Sequence, residues 1–340
     1  MDVTFSEEQE ALREAVRDLL ADHCTRERVR SVMGSETGTD LDLYQRLAQI
    51  GVTDLPGLVA LGAVLEECGR ALAPVPLVSA AGIAAPALAA AGMEALLAGL
   101  QAGEGIPVLA LEGEATLLDG VVRGVFHRVP EAHVATAIVL AANDGDKWRL
   151  VAVDAADCGI EAQPTMDATR RLCTVRLQRA AVMAAGPAGE GNAALAAARM
   201  HGAAALAHEL VGVAQTCLDM AVTHAKTREQ FGRPIGAYQA VSHRCTDMFV
   251  ALESARSHAY YAGWAVQEGA RDAALAASQA KAAASDAAVA CAQGAIQVHG
   301  GIGFTWEHDL HLYLRRARSG AALLGTASDH RRRIADLMGV

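Results

Sequence analysis

Apolar residues recur along this chain at two different periods, and the switches between them divide it into three regions. In FSEEQEALREAVRDLL, Leu12, Val16, Leu19 and Leu20 return every three or four positions with charges between them, the spacing of one helix face. Ser6 three residues before Gln9 predicts a capping box at the start of that helix. DLDLYQRLAQIG repeats the pattern and predicts a helix stopping at Gly51, while ALGAVLEECGRALAPVP predicts one halted by Pro74 and Pro76. Residues 1–105 therefore read as an all-helical domain.

From 106 to 185 the period shortens. IPVLALEG, VATAIVLAAN, WRLVAVDA and RLCTVRLQ are short β-rich runs. In the last, Cys173, Val175 and Leu177 alternate with Thr174, Arg176 and Gln178, as a half-buried strand requires. NDGDK predicts a hairpin turn between the second and third runs. No G-x-G-x-x-G opens a helix after any of these strands, which argues against a Rossmann nucleotide site. Residues 186–340 return to the helical period: Leu206, Leu210, Val213, Cys217 and Met220 form a bundle stripe. Two further long helices and a last one over ASDHRRRIADLM make four. The fold class expected is mainly α with a small middle β domain and a C-terminal four-helix bundle.

Composition sharpens this picture. Alanine dominates the 52% hydrophobic fraction while aromatics make up 4%, which favours closely packed helices. The net charge of −10 argues against a nucleic-acid partner. The run 77–100 is long enough to span a bilayer, but alanine and glycine drive insertion weakly, and Pro86 and Glu94 interrupt it. Buried helices are expected there, with no membrane span. Seven dispersed cysteines without a C-x-x-C pair suggest reduced thiols, and the acidic N-terminus is unlike an export signal, so a cytoplasmic protein is expected.

Candidate chemistry concentrates in two turns. KTREQFGRPIGAYQ follows the first bundle helix, and QVHGGIGFTWEHDLHLYLRR follows the third. Paired glycines let backbone N–H groups approach a phosphate, and Arg228 can offer a bidentate fork to a diphosphate. Phe231 can cover a ring, and Gln239 can hydrogen-bond an adenine or ribose. Singly each has a plainer role: a surface arginine, a core filler, a helix stop. His224, His243, His258, His308 and His311 lack H-E-x-x-H spacing, so no metal site is expected.

In this order and this three-part chain, the motifs resemble the acyl-CoA dehydrogenase family, flavoenzymes with a helical domain, a β domain and a four-helix bundle. The resemblance runs from FSEEQEALREAVRDLL to GTASDHRRR. Its most specific parts are R-x-x-F-G with a later glutamine (Arg228, Phe231, Gly232, Gln239) and Q-V-H-G-G (Gln297, Val298, His299, Gly300, Gly301). It implies that these turns hold the adenosine diphosphate half of an FAD whose ring lies in the adjacent subunit. Thr326 and Ser328 join the cofactor set by the same resemblance, and Arg199 and Gly325 the substrate set for an acyl-CoA thioester.

The resemblance also implies a carboxylate that removes the α-proton of the thioester. The family usually carries a glutamate just before the Gly-Thr of the last loop, where this chain has Leu324 ahead of Gly325 and Thr326. Some relatives place it on the first bundle helix before an arginine; here Ala198 precedes Arg199, and Ala196 replaces a frequent aspartate. The T-E-x-x-x-G-S-D and K-x-W-I segments that face the flavin ring are missing too. This combination looks like the smaller chain of two-subunit (α2β2) enzymes acting on steroid-type or other bulky acyl-CoA thioesters, where a base-bearing partner subunit shares one FAD. Two other readings stay open: a homo-oligomeric enzyme using Glu307 or Asp309 as base, and a scaffold without redox chemistry.

Overall fold

The computed structural model describes residues 6–145 and 147–340. Asp146, in the turn expected at NDGDK, and the first five residues, on which the reading of the N-terminus partly rests, lie outside the described residues. Helices come first: α1 (Glu7–His23), α2 (Arg26–Met33), α3 (Leu41–Gln49), α4 (Leu58–Ala71), a π-helical turn (Val78–Ala84), α5 (Ala85–Ala90) and α6 (Glu94–Gln101). Seven strands follow: β1 (Pro107–Ala110), β2 (Glu112–Leu118), β3 (Val121–Pro130), β4 (Ala137–Asp144), β5 (Lys147–Asp154), β6 (Gly159–Gln163) and β7 (Leu172–Ala185). The chain then returns to helix with α7 (Gly191–Thr227), a short hairpin β8 (Glu229–Gln230) and β9 (Arg233–Pro234), α8 (Gln239–Gln267), α9 (Ala273–His299), α10 (Leu310–Ala322) and α11 (Ala327–Met338). The architecture is mainly helical with a small β region, as the periodicity predicts.

Local chemistry accounts for most boundaries. Ser6 and Gln9 form the expected capping box on α1. Gly51 takes a left-handed φ of 83° just past α3. Helix α4 closes at Leu72, itself left-handed, ahead of the two prolines. Residues 77–100 fold as the π-helical turn and two short helices with Val78, Ile83, Leu88 and Leu100 buried. No described helix is long and apolar enough to cross a membrane.

The structure departs from the periodicity in several places. Thr174 is buried although the strand pattern points it outward, and Met220 is only half-buried in its stripe. The β2–β3 hairpin and β6 go unmarked by periodicity, yet Asp119 and Gly120, both at positive φ, form the two-residue turn that an Asp-Gly pair favours. Residues 310–316, read from the sequence as the tail of the second turn, begin helix α10, because Leu310, Leu312, Tyr313 and Arg316 are buried along one face.

The fold resolves into two compact units. One comprises the segment up to Glu27, Gly57–Ala73 and Ala203–Val340; the other comprises Arg28–Pro56 and Pro74–Gly202. In the second, β2, β3, β7, β5 and β4 pair in a closed circuit, with β1 parallel on β4 and β6 antiparallel on β7. Glu131, at φ 56°, is buried there with Ser79 and Arg170 as partners.

In the first unit, α4 and α7 touch backbone to backbone. A Cβ on Gly69 would sit 2.0 Å from the Glu209 carbonyl oxygen, and one on Gly212 would sit 1.9 Å from that of Glu66. That approach buries Glu66 and Glu67 on α4, which must then be paired. Arg13 reaches Glu67 at 2.9 Å and Glu66 at 3.4 Å, Arg17 reaches Glu67 at 2.9 Å, Arg256 binds Glu66, and the Tyr260 hydroxyl donates to Glu66 at 2.9 Å. Burial alone would raise the Glu67 carboxyl, but hydrogen bonds from Arg17 and Arg13 hold it below its usual range.

His208 lies beneath Gly62 and Gly263, where a Cβ would meet its ring at 2.6 and 3.0 Å. Burial pushes this imidazole down to about 4, so it folds neutral. Its contribution to stability is complete above the unfolded value near 6.5 and declines as pH falls from there toward 4. The full shift corresponds to about 3 kcal/mol. Urea unfolding at pH 7.5 and pH 5 should therefore show a marked loss of stability in the wild type, and a smaller loss in a His208→Leu chain.

Candidate functional site

The first of the two turns begins where α7 ends. The Arg228 N–H still donates to the His224 carbonyl at 2.9 Å, and the chain then reverses through β8 and β9 with Phe231 at φ 54° and Gly232 at φ 80°. Positive φ at both central residues is the I′ geometry that matches strand twist, and it normally calls for Asn-Gly. The reversal is closed by Ile235 N–H to the Arg228 carbonyl at 2.8 Å and by the Tyr238 hydroxyl to the Gln230 carbonyl at 3.0 Å. Arg233 covers the Tyr238 ring at 4.2 Å, and Phe231 meets the same ring edge-on at 6.5 Å. Phe231 is nonetheless 92% exposed. Apart from that edge contact, an aromatic held at an unfavourable φ with its face in water adds little to the folded chain alone. Arg228 is exposed, and its side chain makes no hydrogen bond or ion pair among the described residues. Gln239 opens α8 and is also exposed.

The second turn closes α9. Gln297 is exposed, Val298 is buried, and Gly300 takes φ 67° and ψ −139°, a conformation open to glycine. Nothing lies within 4 Å of where a Cβ would stand on Gly300, Gly301 or Gly232, so the backbone is free to meet a ligand there. Beyond it Phe304 is 72% exposed and Trp306 64% exposed.

The ends of α7 and α9 meet through imidazoles. His224 stacks on His299 with ring centroids 4.2 Å apart, and His308 meets His299 edge-on at 4.6 Å. Burial, then the neighbouring His299 and Arg228, hold the His224 ring below its ordinary range. Asp219, Met220, Thr223, His224, Thr227 and His299 line an open groove of about 370 Å³ beside the two turns. The sequence shows the histidines but not that they touch.

The last loop lies in the same unit. Leu324 at φ 62° and Gly325 at φ 104° turn the chain from α10 into α11. Thr326 and Asp329 form a reciprocal capping box, and the Thr326 and Arg332 hydrogen bonds bring the Asp329 carboxyl down to about 2. Ser328 is exposed on the first turn of α11. His330 Nε2 donates to the Leu324 carbonyl at 3.1 Å. Lys281, buried on α9, donates to the carbonyls of Ala321 at 3.2 Å and Gly325 at 3.1 Å.

Leu324 is half-buried and carries no group that could take a proton. Ala198 and Arg199 belong to the other unit, where Ala198 is buried and Arg199 reaches the Leu111 carbonyl at 3.4 Å. Glu307 is exposed, and Asp309 lies 3.9 Å from Arg26.

A family model described as "Acyl-CoA dehydrogenase, C-terminal domain" matches residues 155–339. The chain belongs to the acyl-CoA dehydrogenase family. It is 34% identical to the acyl-CoA dehydrogenase IpdE2 of Mycolicibacterium smegmatis, over 97% of this chain and 98% of that one. Among solved structures, the Tcur3481-Tcur3483 steroid ACAD G363A variant is 31% identical with a TM-score of 0.89, covering 98% of both chains. The ChsE4-ChsE5 complex from Mycobacterium tuberculosis is 26% identical with a TM-score of 0.91, covering 100% of this chain and 99% of that one. Acyl-CoA dehydrogenases are FAD-dependent oxidoreductases acting on a CH–CH pair. An arginine without a side-chain partner among the described residues and an open glycine backbone are the groups a diphosphate calls for, and a bare aromatic face is what a ring calls for.

Proposed function

We propose that this chain is a subunit of an FAD-dependent acyl-CoA dehydrogenase, that it has no catalytic base of its own, and that it completes the flavin site of a base-bearing partner subunit in a hetero-oligomer of the α2β2 kind. The observation that carries this reading is Leu324: the turn that should present a carboxylate is built and anchored, but the residue on it is a hydrocarbon. Ala198 leaves the second possible position equally without a proton acceptor. Two further features support it. The most exposed described aromatics sit on the two clamp turns, where a partner's surface would cover them. Solved relatives include the Tcur3481-Tcur3483 and ChsE4-ChsE5 assemblies, the first called a steroid ACAD, which supports a steroid-type or other bulky acyl-CoA as substrate.

When bound, FAD supplies the acceptor for the hydride that leaves Cβ of the thioester. This chain's own residues grip its distal half. Arg228 forks onto the diphosphate, and the Gly300–Gly301 backbone lets N–H groups approach it. Phe231 covers a ring on the Gly232 turn, and Gln239 and Gln297 hydrogen-bond the adenine or ribose. Val298, His299, Thr326 and Ser328 border the same ligand. Arg199 supports the CoA portion of the substrate, and Gly325 lets the thioester pass close to the backbone. Leu324 excludes water and moves no proton. Functionally the chain divides into residues 1–105, 106–185 and 186–340, with the clamp in the last, and the free cysteines suit a cytoplasmic location.

Expression alone and together with a base-bearing chain tests the reading. The lone chain should purify colourless and inactive, and the pair should show a flavin spectrum and form the α,β-double bond. A lone chain that holds stoichiometric FAD and dehydrogenates a thioester would overturn it.

A further inference from the structure

Lys281 is 0% exposed in the middle of α9, on an otherwise alanine-rich face. The chain has three lysines among its 29 basic residues, so a lysine at the most buried cationic position is a specific choice. Its Nζ lies 3.0 Å from Ser285 Oγ, 3.2 Å from the Ala321 carbonyl and 3.1 Å from the Gly325 carbonyl. All three partners are neutral. The two acidic residues that act on it from a distance are committed elsewhere: Asp286 to Arg331, and Asp329 to Thr326 and Arg332. Burying an ammonium without an ion pair is expensive, and burial pushes this amine down to about 7. A lysine that did no more than fill space would be better replaced by methionine, which has the same length and no polar group to satisfy.

The two carbonyls it holds lie on either side of Leu324. His330, from α11, holds the Leu324 carbonyl between them. Three acceptors of one five-residue segment are thus pinned by two buried side chains, while Leu324 and Gly325 remain at positive φ. A leucine in that conformation costs roughly 1–2 kcal/mol, and the segment would relax if released.

We propose that Lys281 is a positioning residue: by bridging the Ala321 and Gly325 carbonyls it sets the course of the turn that carries Leu324. This rests on the reading above in one respect, that the turn borders the substrate and cofactor. The contact itself is independent of FAD or partner.

Full-length chains carrying Lys281→Met and Ser285→Ala, without flavin or partner, test it by amide hydrogen exchange and carbonyl ¹³C NMR. Lys281→Met should accelerate exchange of the 322–327 amides at least tenfold relative to α7, and shift the Ala321 and Gly325 carbonyl resonances while those earlier in α10 stay in place. Ser285→Ala, which leaves both carbonyl bonds intact, should change neither. Unaltered exchange at 322–327 in Lys281→Met overturns the proposal. So does a loss of protection spread evenly over the unit, which would mark the lysine as ordinary packing. Should Lys281→Met fail to fold, Lys281→Gln, whose shorter amide cannot span both carbonyls, is read in the same way. Either negative result leaves the partner-dependent function standing, since no flavin enters the measurement.

Discussion

Replacing Arg228 with alanine is expected to weaken FAD binding by the assembled enzyme about 100-fold while leaving the fold of this chain untouched. Arg228 stands at the end of α7, exposed, with its guanidinium uncommitted among the described residues. Its removal therefore opens no cavity and strands no buried partner, and unfolding midpoints should move by no more than about 0.5 kcal/mol. Against a diphosphate the same fork makes charge-assisted hydrogen bonds of about 1.5–3 kcal/mol. A loss near 3 kcal/mol is about two decades in the dissociation constant. Arg228→Lys keeps the charge but not the planar fork, so it should fall between the two. The affinity is read by flavin fluorescence on the complex at fixed salt. An Arg228→Ala complex that binds FAD as tightly as the wild type would remove the clamp from this turn.

The largest effect on stability is expected at Glu209. Its carboxylate meets Arg316 at 2.8 Å with both side chains almost fully buried, α7 supplying one and α10 the other. Arg316 also reaches the Ala73 carbonyl at 3.5 Å. Removing one member of such a pair leaves a charge in the core without its counter-ion, at a cost of 3–5 kcal/mol, on the order of a third or more of a typical domain's stability. Glu209→Leu should therefore lower the urea midpoint sharply. Glu209→Leu with Arg316→Met should recover most of it, because the desolvation penalty disappears together with the attraction. Equal losses in the single and double variants would show that packing at this crossing outweighs the pair.

Much of the architecture was legible because helices and half-buried strands write their period into neighbouring residues. The α1 cap, the stop at Gly51 and the strands at Pro107–Ala110, Ala137–Asp144 and Lys147–Asp154 each follow from signals within a few positions. The β2–β3 hairpin carried its own sign in Asp119–Gly120, and α10 was hidden by its place behind a glycine-rich turn. The two turn motifs and the residues at positions 324 and 198 are visible as letters. Their surroundings are not.

By itself the sequence determined the order of a helical, a β-rich and a second helical region, the composition of the two glycine-bearing turns and the lack of a carboxylate at Leu324. These depend on residue identity and on contacts three or four positions apart. Only the tertiary structure decided that the N-terminal helices divide between two units, that His224 meets His299, and that Lys281 and His330 hold the turn around Leu324. Alanine faces on several helices are nearly interchangeable in a sequence. Which of them pack together, and which polar group is caught between them, is settled by backbone approach over long separations, as at Gly69 and Gly212.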